Sequence, residues 1–215
     1  MQIKRFALPL FLALLVLPVL LVAQELKPLE LPKPQTDGGK PLMQALKARH
    51  TTRSFKPEKL PAQVLSNLLW AAFGVNRPDS GKRTAPSAMN WQEIDLYVAT
   101  ADGLHVYDAK ANRLDPVLSE DVRAATGTQD FVKNAPVNLV YVADLAKTRN
   151  PGSEGQTLFT AVDTGVIVQN VYLFCASEGL GTVVRGSVDR AALAKAMKLR
   201  PDQRIIVAQT VGYPE

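Results

Sequence analysis

Between residues 61 and 73, apolar side chains recur at Val64, Leu65, Leu68, Leu69 and Ala72, the spacing that turns one face of a helix toward a core. Pro61 suits its first turn and Gly74 its end. From Glu93 to Thr100 the pattern switches to alternation through Ile94, Leu96 and Val98, which predicts a strand. Asp102-Gly103 then makes a turn, and Leu104 to Tyr107 returns as the second arm of a hairpin. Ser119, followed by Glu120 and Asp121, predicts the start of a short helix, and the β-branched run Val137 to Ala143 predicts another strand. Phe159 to Ser177 is the longest helical stretch. Its apolar residues, among them Val162, Val166, Ile167, Val168, Val171, Leu173 and Phe174, fall on nearly every face, which predicts a helix buried all round. Gly179 stops it, Asp189 caps a helix running to Met197, and Ile205 to Val211 forms a last strand. Helices and strands mix without a regular βαβ repeat, so the predicted class is α+β, a sandwich of a mainly antiparallel sheet flanked by helices.

The amino-terminal stretch follows a different rule. Residues 1–23 pair a basic start, Lys4-Arg5, with an apolar run from Phe6 to Val22 broken by Pro9 and Pro18, and read as an export signal. Leu21 is large for the position three residues before a cut after Ala23, so an uncleaved membrane anchor stays open as the alternative. The expected location is therefore periplasmic or secreted, or tethered to the membrane. Residues 24–40 carry Pro28, Pro32 and Pro34 and close on Asp37-Gly38-Gly39, an extended linker or arm that either spans or wraps a partner subunit. Residues 41–215 remain as one domain, long enough for a sizeable core.

Composition narrows the chemistry. The net charge of +5 is spread among acids rather than gathered in a stripe, which gives nucleic-acid binding little support. Cys175 is the lone cysteine, set among Leu173, Phe174 and Ala176, a buried inert thiol rather than a nucleophile. His50 and His105 are too few and too far apart for a metal site. Gly81-Lys82-Arg83-Thr84 fails as a phosphate loop, since Asn76 holds the first glycine position and Arg83 the hydroxyl position.

The richest stretch is Arg49-His50-Thr51-Thr52-Arg53-Ser54-Phe55. With Arg49 at the end of a helix and Arg53 on the extended segment after it, two guanidinium forks can converge on one phosphate dianion, with Thr51 and His50 as neutral donors. The plainer reading is a basic helix end that complements the helix dipole. Pro86-Ser87-Ala88-Met89-Asn90-Trp91-Gln92 is polar and turn-prone before a strand, and by itself reads equally as a simple entry loop.

These two motifs, followed in order by Asp163-Thr164-Gly165, Gln169-Asn170, Gly179-Leu180-Gly181-Thr182 and the closing Val211-Gly212-Tyr213-Pro214, resemble the nitroreductase family of FMN-dependent oxidoreductases over residues 41–215. The stretch from Arg83 to Ala88, with the hairpin Leu96-Tyr97 to Asp108, leans toward the branch containing azoline-oxidising dehydrogenases of peptide maturation. The resemblance implies an intertwined homodimer with two FMN sites at its interface. Arg49, His50, Thr51 and Arg53 would hold the phosphate, while Pro86, Ser87, Ala88 and Asn90 would reach the flavin of the other subunit. Backbone groups of Val184, Arg185, Gly186 and Ser187 would line the ring edge that accepts hydride, where an N–H stabilises developing negative charge. Arg185 either sits near the ring or faces solvent. Asp163, Gln169 and Asn170 are expected to satisfy core contacts.

Two positions depart from the family pattern. Glu93-Ile94 stands where a Pro-Trp usually follows Gln92, and Glu215 stands where a Lys or Arg usually follows Gly-Tyr-Pro. Arg49 and Arg53 would then carry more of the phosphate. The implied chemistry is ping-pong hydride transfer from NADH, NADPH or another donor to a nitro, quinone or related small acceptor. A non-catalytic flavin binder, an azoline-type dehydrogenase and a flavin-free periplasmic interaction protein are the alternatives.

Overall fold

A seven-stranded sheet in the order β1-β6-β5-β4-β7-β9-β8, with every pairing antiparallel, forms the centre of the molecule. The computed structural model describes residues 26–149 and 151–215, so the predicted export segment lies outside the described residues. The strands are β1 (Leu29–Glu30), β4 (Ile94–Thr100), β5 (Gly103–Asp108), β6 (Arg113–Leu118), β7 (Val137–Asp144), β8 (Gly181–Arg185) and β9 (Gln203–Gly212). A small separate ribbon pairs β2 (Val75–Arg77) with β3 (Lys82–Arg83). The helices are α1 (Leu42–Ala48), α2 (Ala62–Phe73), α3 (Gly152–Glu178) and α4 (Arg190–Ala196).

Alternation along β4 divides the core. Leu96 and Val98 join Leu68, Leu69 and Phe73 of α2 and Ile167 and Val171 of α3 on one face. Tyr97 and Ala99 join Leu193 of α4 and Met197 on the other. Strand β7, buried at every residue, lies between β4 and β9, as its unbroken apolar run requires. The antiparallel α+β class is as predicted. So are the β4–β5 hairpin and α2, which Gly74 ends by close approach, since a Cβ there would lie 2.5 Å from Trp70 Cδ1.

Several elements differ from the sequence reading. Helix α3 begins at Gly152, seven residues before the predicted start at Phe159. Its first turns, Gly-Ser-Glu-Gly-Gln-Thr, are polar and largely exposed, so they carry no apolar period to read. Nor is α3 buried all round: Leu158, Phe159 and Val162 are exposed, Val162 by 52%. Gln169 is exposed as well, not a core contact. The helix expected at Ser119 is only a 3-10 turn over Arg123–Thr126. The Asp121 carboxylate accepts the Arg123 N–H at 3.0 Å and ion-pairs its guanidinium, which fixes a tight local turn instead.

Residues 26–40 run extended over their own chain. Leu29–Glu30 extend the sheet beside β6. Further along, Gln35 N donates to Asn67 Oδ1 at 2.9 Å and Lys40 N to Ser177 Oγ at 2.7 Å. The arm therefore straps the middle of α2 and the end of α3.

Candidate functional site

Helix α1 ends at Arg49, whose N–H donates to Ala45 O at 2.9 Å. The next residues turn away and run beside β8, with Thr52 N donating to Thr182 O at 3.0 Å. Gly181 permits this approach, because a Cβ there would lie 2.8 Å from the Thr52 methyl. Phe55, buried against Phe131, bridges to Pro214 and fixes the far end of the segment. The backbone of residues 49–55 is thus set by a sheet edge.

One side chain joins this segment to the turn after β8. The Tyr172 hydroxyl on α3 lies 3.2 Å from Thr51 Oγ1 and accepts the Val184 N–H at 3.1 Å. The Arg49 guanidinium sits 5.4 Å from the centroid of the same ring, a cation–π arrangement. His50 Nδ1 is 2.8 Å from Ala48 O, so one ring nitrogen is already engaged as donor. Arg53 is exposed and makes no hydrogen bond or ion pair among the described residues. Gly186 and Ser187 are exposed, with no atom within 4 Å of where a Gly186 Cβ would stand. Arg49, Thr51 and Val184 thus meet at Tyr172, and with the residues adjoining them in the chain, His50, Arg53, Gly186 and Ser187, they are called the ledge.

Arg185 differs from both sequence expectations, since its side chain neither faces solvent nor borders the ledge. It is 4% exposed and points inward. Its Nη1 donates to Thr126 O at 2.7 Å, Nη2 to Asn138 Oδ1 at 3.1 Å and Nε to Thr210 Oγ1 at 3.2 Å. Burial lowers its pKa to about 10, and no carboxylate is among its partners. A β-carbon on Gly127 would sit 1.8 Å from Nη1, so a glycine is needed there. Thr128 N also donates to Ser187 O at 3.2 Å. The turn carrying Gly186 is thus clamped from behind.

Pro86, Ser87, Ala88 and Asn90 are not part of this ledge. Their loop is anchored on α3 by Asp163, whose Oδ2 accepts the Ala88 N–H at 2.7 Å. Asp163 precedes Tyr172 by nine helical positions, about 13 Å along the axis at about 1.5 Å per residue. Ser87 Oγ accepts the Gln92 N–H at 3.0 Å. Met89, Asn90 and Gln92 have φ of 51°, 55° and 50°, a left-handed backbone that asparagine tolerates and the other two adopt under strain.

A model of the nitroreductase family matches residues 46–213, a span that contains both the ledge and the loop. The chain belongs to the nitroreductase family. It is an oxidoreductase of the flavin-dependent class, and the family's members bind FMN. A crystal structure of a nitroreductase from Ralstonia eutropha superposes with a TM-score of 0.84 at 43% identity, covering 87% of this chain and 90% of that one. A nitroreductase from Methanocaldococcus jannaschii is 28% identical over 162 residues, 71% of this chain and 81% of the relative. A nitroreductase from Desulfovibrio desulfuricans, solved in complex with FMN, shares the fold with a TM-score of 0.60 at 24% identity, covering 82% of this chain and 88% of that one.

The ledge suits such a cofactor. Arg49 and Arg53 supply two cations with no carboxylate partner among the described residues, and Thr51 a hydroxyl, the donor set a phosphate dianion needs. The unobstructed backbone at Gly186 leaves room for a flat ring. Tyr172 was missed by sequence reasoning, although a phenol inside an aliphatic helix signals a hydroxyl in need of a partner. Asp163 was expected to satisfy a backbone contact in the core, as it does with the Ala88 N–H, but that its partner lies in this loop leaves no local signature.

Proposed function

We propose that this nitroreductase-family chain is an exported FMN oxidoreductase that takes hydride from NADH or NADPH and delivers it to a nitro, quinone or related small organic acceptor. The observation that carries the reading is the Tyr172 hydroxyl joining Thr51 to the Val184 backbone, which holds the phosphate-type donors and the open Gly186 turn on one surface. Bound FMN supplies the two-electron chemistry. Arg49 and Arg53 would hold its phosphate, and the turn after Val184, whose own N–H is taken by Tyr172, would offer backbone N–H groups where negative charge develops on the ring. No protein acid or base is required. Donor and acceptor take turns at one open face, which is ping-pong order.

The site is completed by a second copy of the chain. The ledge lies outside two clefts among the described residues, one of about 520 Å³ between the arm and α1–α3 and one of about 590 Å³ under β1. Leu42, Met43 and Leu46 of α1, Met89 of the loop, and Leu158, Phe159 and Val162 of α3 are all exposed. A homodimer that covers this apolar surface would bring Pro86–Asn90 of one chain to the ledge of the other.

The test is a visible spectrum of the purified chain with FMN, followed anaerobically by NADH or NADPH. A perturbed flavin band that bleaches and then recovers with a nitroaromatic or quinone is expected. Binding without bleaching would indicate a different donor, such as an azoline-type substrate, or a flavin carrier. No binding would contradict the reading and favour an interaction protein without flavin.

A further inference from the structure

Glu93 closes the loop that begins at Pro86, and its side chain is fully buried. Neither of its carboxyl oxygens has a hydrogen-bond partner of ordinary geometry among the described residues, an arrangement that is costly for a carboxylate and tolerable for a neutral acid. Asp163, itself 5% exposed, is the acid facing it from α3, and it is the group that anchors Ala88. From the turn after β7, Lys147 faces the same region, but it is engaged by Asp95 of β4 at 2.5 Å and lies 3.9 Å from Asp144 of β7. Arg200 pairs with Asp144 from the segment before β9. Among the described residues, Lys147, the cation acting on Glu93, is thus already paired, while Arg83 is turned to Gln92 Oε1 at 2.9 Å, and two such acids in a water-poor site share a proton rather than both ionise.

We propose that Glu93 is a positioning residue: as the neutral acid it donates its proton to Asp163, so that one buried hydrogen bond steadies the carboxylate holding Ala88 N–H and keeps Pro86–Asn90 in its strained shape. Loss of that proton to solvent leaves two facing carboxylates, and their repulsion draws Asp163 off Ala88. Burial chiefly, opposed by the nearby Glu93 backbone N–H and by Lys147 and reinforced by the charge and hydrogen bond of Asp163, raises the pKa of Glu93 to about 7, which puts release near neutrality. The only covalent change is loss of the Glu93 O–H proton to solvent; the movement of Asp163 away from Ala88 follows from it. The consequence for cofactor retention rests on the reading of Pro86–Asn90 as a flavin-facing loop. The clamp itself does not.

The experiment is hydrogen exchange of the Ala88 amide in the flavin-free full chain, expressed as protection relative to the unstructured rate at each pH. Protection in the wild type is expected to fall at least about tenfold between about pH 6 and about pH 8.5. Glu93→Gln, whose amide donates at any pH, should hold protection constant. Asp163→Asn, which keeps an acceptor for Ala88 but removes the second charge, should also be constant and serves if the first variant does not fold. A wild type without the fall, or a Glu93→Gln chain with the same fall, overturns the proposal. FMN titration at the two pH values separates the linked reading. Affinity that drops in step with Ala88 protection supports both, whereas the exchange result without any FMN binding supports the clamp and contradicts the flavin assignment.

Discussion

The ledge and the loop are two parts proposed for one cofactor site, and they are held in opposite ways. The ledge rests on bonds made by main-chain groups: the Thr52 N–H to Thr182 O on the edge strand β8, the Val184 N–H to the Tyr172 hydroxyl, and the Thr128 N–H to Ser187 O. Arg185 braces the turn from below. The loop rests on left-handed residues at Met89, Asn90 and Gln92 and on one carboxylate, Asp163, next to a buried acid. Position at the ledge is thus set by secondary structure, and position at the loop by a charge. The first should be stiff and insensitive to pH, and the second strained and sensitive to it.

The largest effect is expected behind the ledge. Arg185→Met would leave Thr126 O without its donor and free Asn138 and Thr210 from theirs, at a cost of about 4 kcal/mol in urea unfolding. A cost below about 1 kcal/mol would mean that the buried guanidinium is not the brace described.

Next comes the pH dependence of stability, which singles out the loop. The pKa of Glu93 rises from 4.5 in its ordinary state to about 7 in the fold, so between these values the folded chain binds more proton than the unfolded one. That contribution is fully present below about pH 4.5 and is lost as pH rises through about 7. The loss amounts to about 3 kcal/mol. Urea unfolding of wild type and Glu93→Gln across this range should show a decline in the first that is missing from the second. Parallel curves would locate the pH dependence elsewhere.

Arg53→Ala should weaken FMN binding at least about tenfold, roughly 1.4 kcal/mol, with stability changed by no more than about 0.5 kcal/mol. Fluorescence titration reads the affinity, and an unchanged value removes Arg53 from the phosphate site. Tyr172→Phe gives the smallest shift, about 1 kcal/mol of stability from the lost hydroxyl, together with a weaker hold on FMN. Equal FMN affinity in that variant would show that the link from Thr51 to Val184 does not shape the ledge.

The contrast between the two regions also explains how much was legible in the sequence. Helix α2 and the β4–β5 hairpin have an apolar period and a clear turn, so their outlines follow from local pattern. The ordered motifs from Arg49 to Pro214 were enough to indicate the family. The first turns of α3 were invisible because they are polar and exposed, and β6 was obscured by Pro116 within it. Arg185 looked like a surface residue because nothing nearby in sequence reveals Thr126, Asn138 and Thr210 closing around it. Tyr172 and Asp163 escaped for the same reason: each acts on a partner more than ten positions away. Local pattern identifies elements and cofactor-type loops, whereas the groups that hold those loops in place are set by tertiary contact.

The most direct test of the ledge and loop as two halves of one site is a mixed assembly. Chains carrying Arg53→Ala have a damaged ledge and a sound loop, and chains carrying Asn90→Ala have the reverse. Each alone should bind FMN weakly. Unfolded together and refolded, then isolated as the mixed dimer with two different tags, they should form one intact site and bind one FMN per dimer at wild-type affinity. Mixed dimers that bind no better than either parent would contradict a site built from the ledge of one chain and the loop of the other.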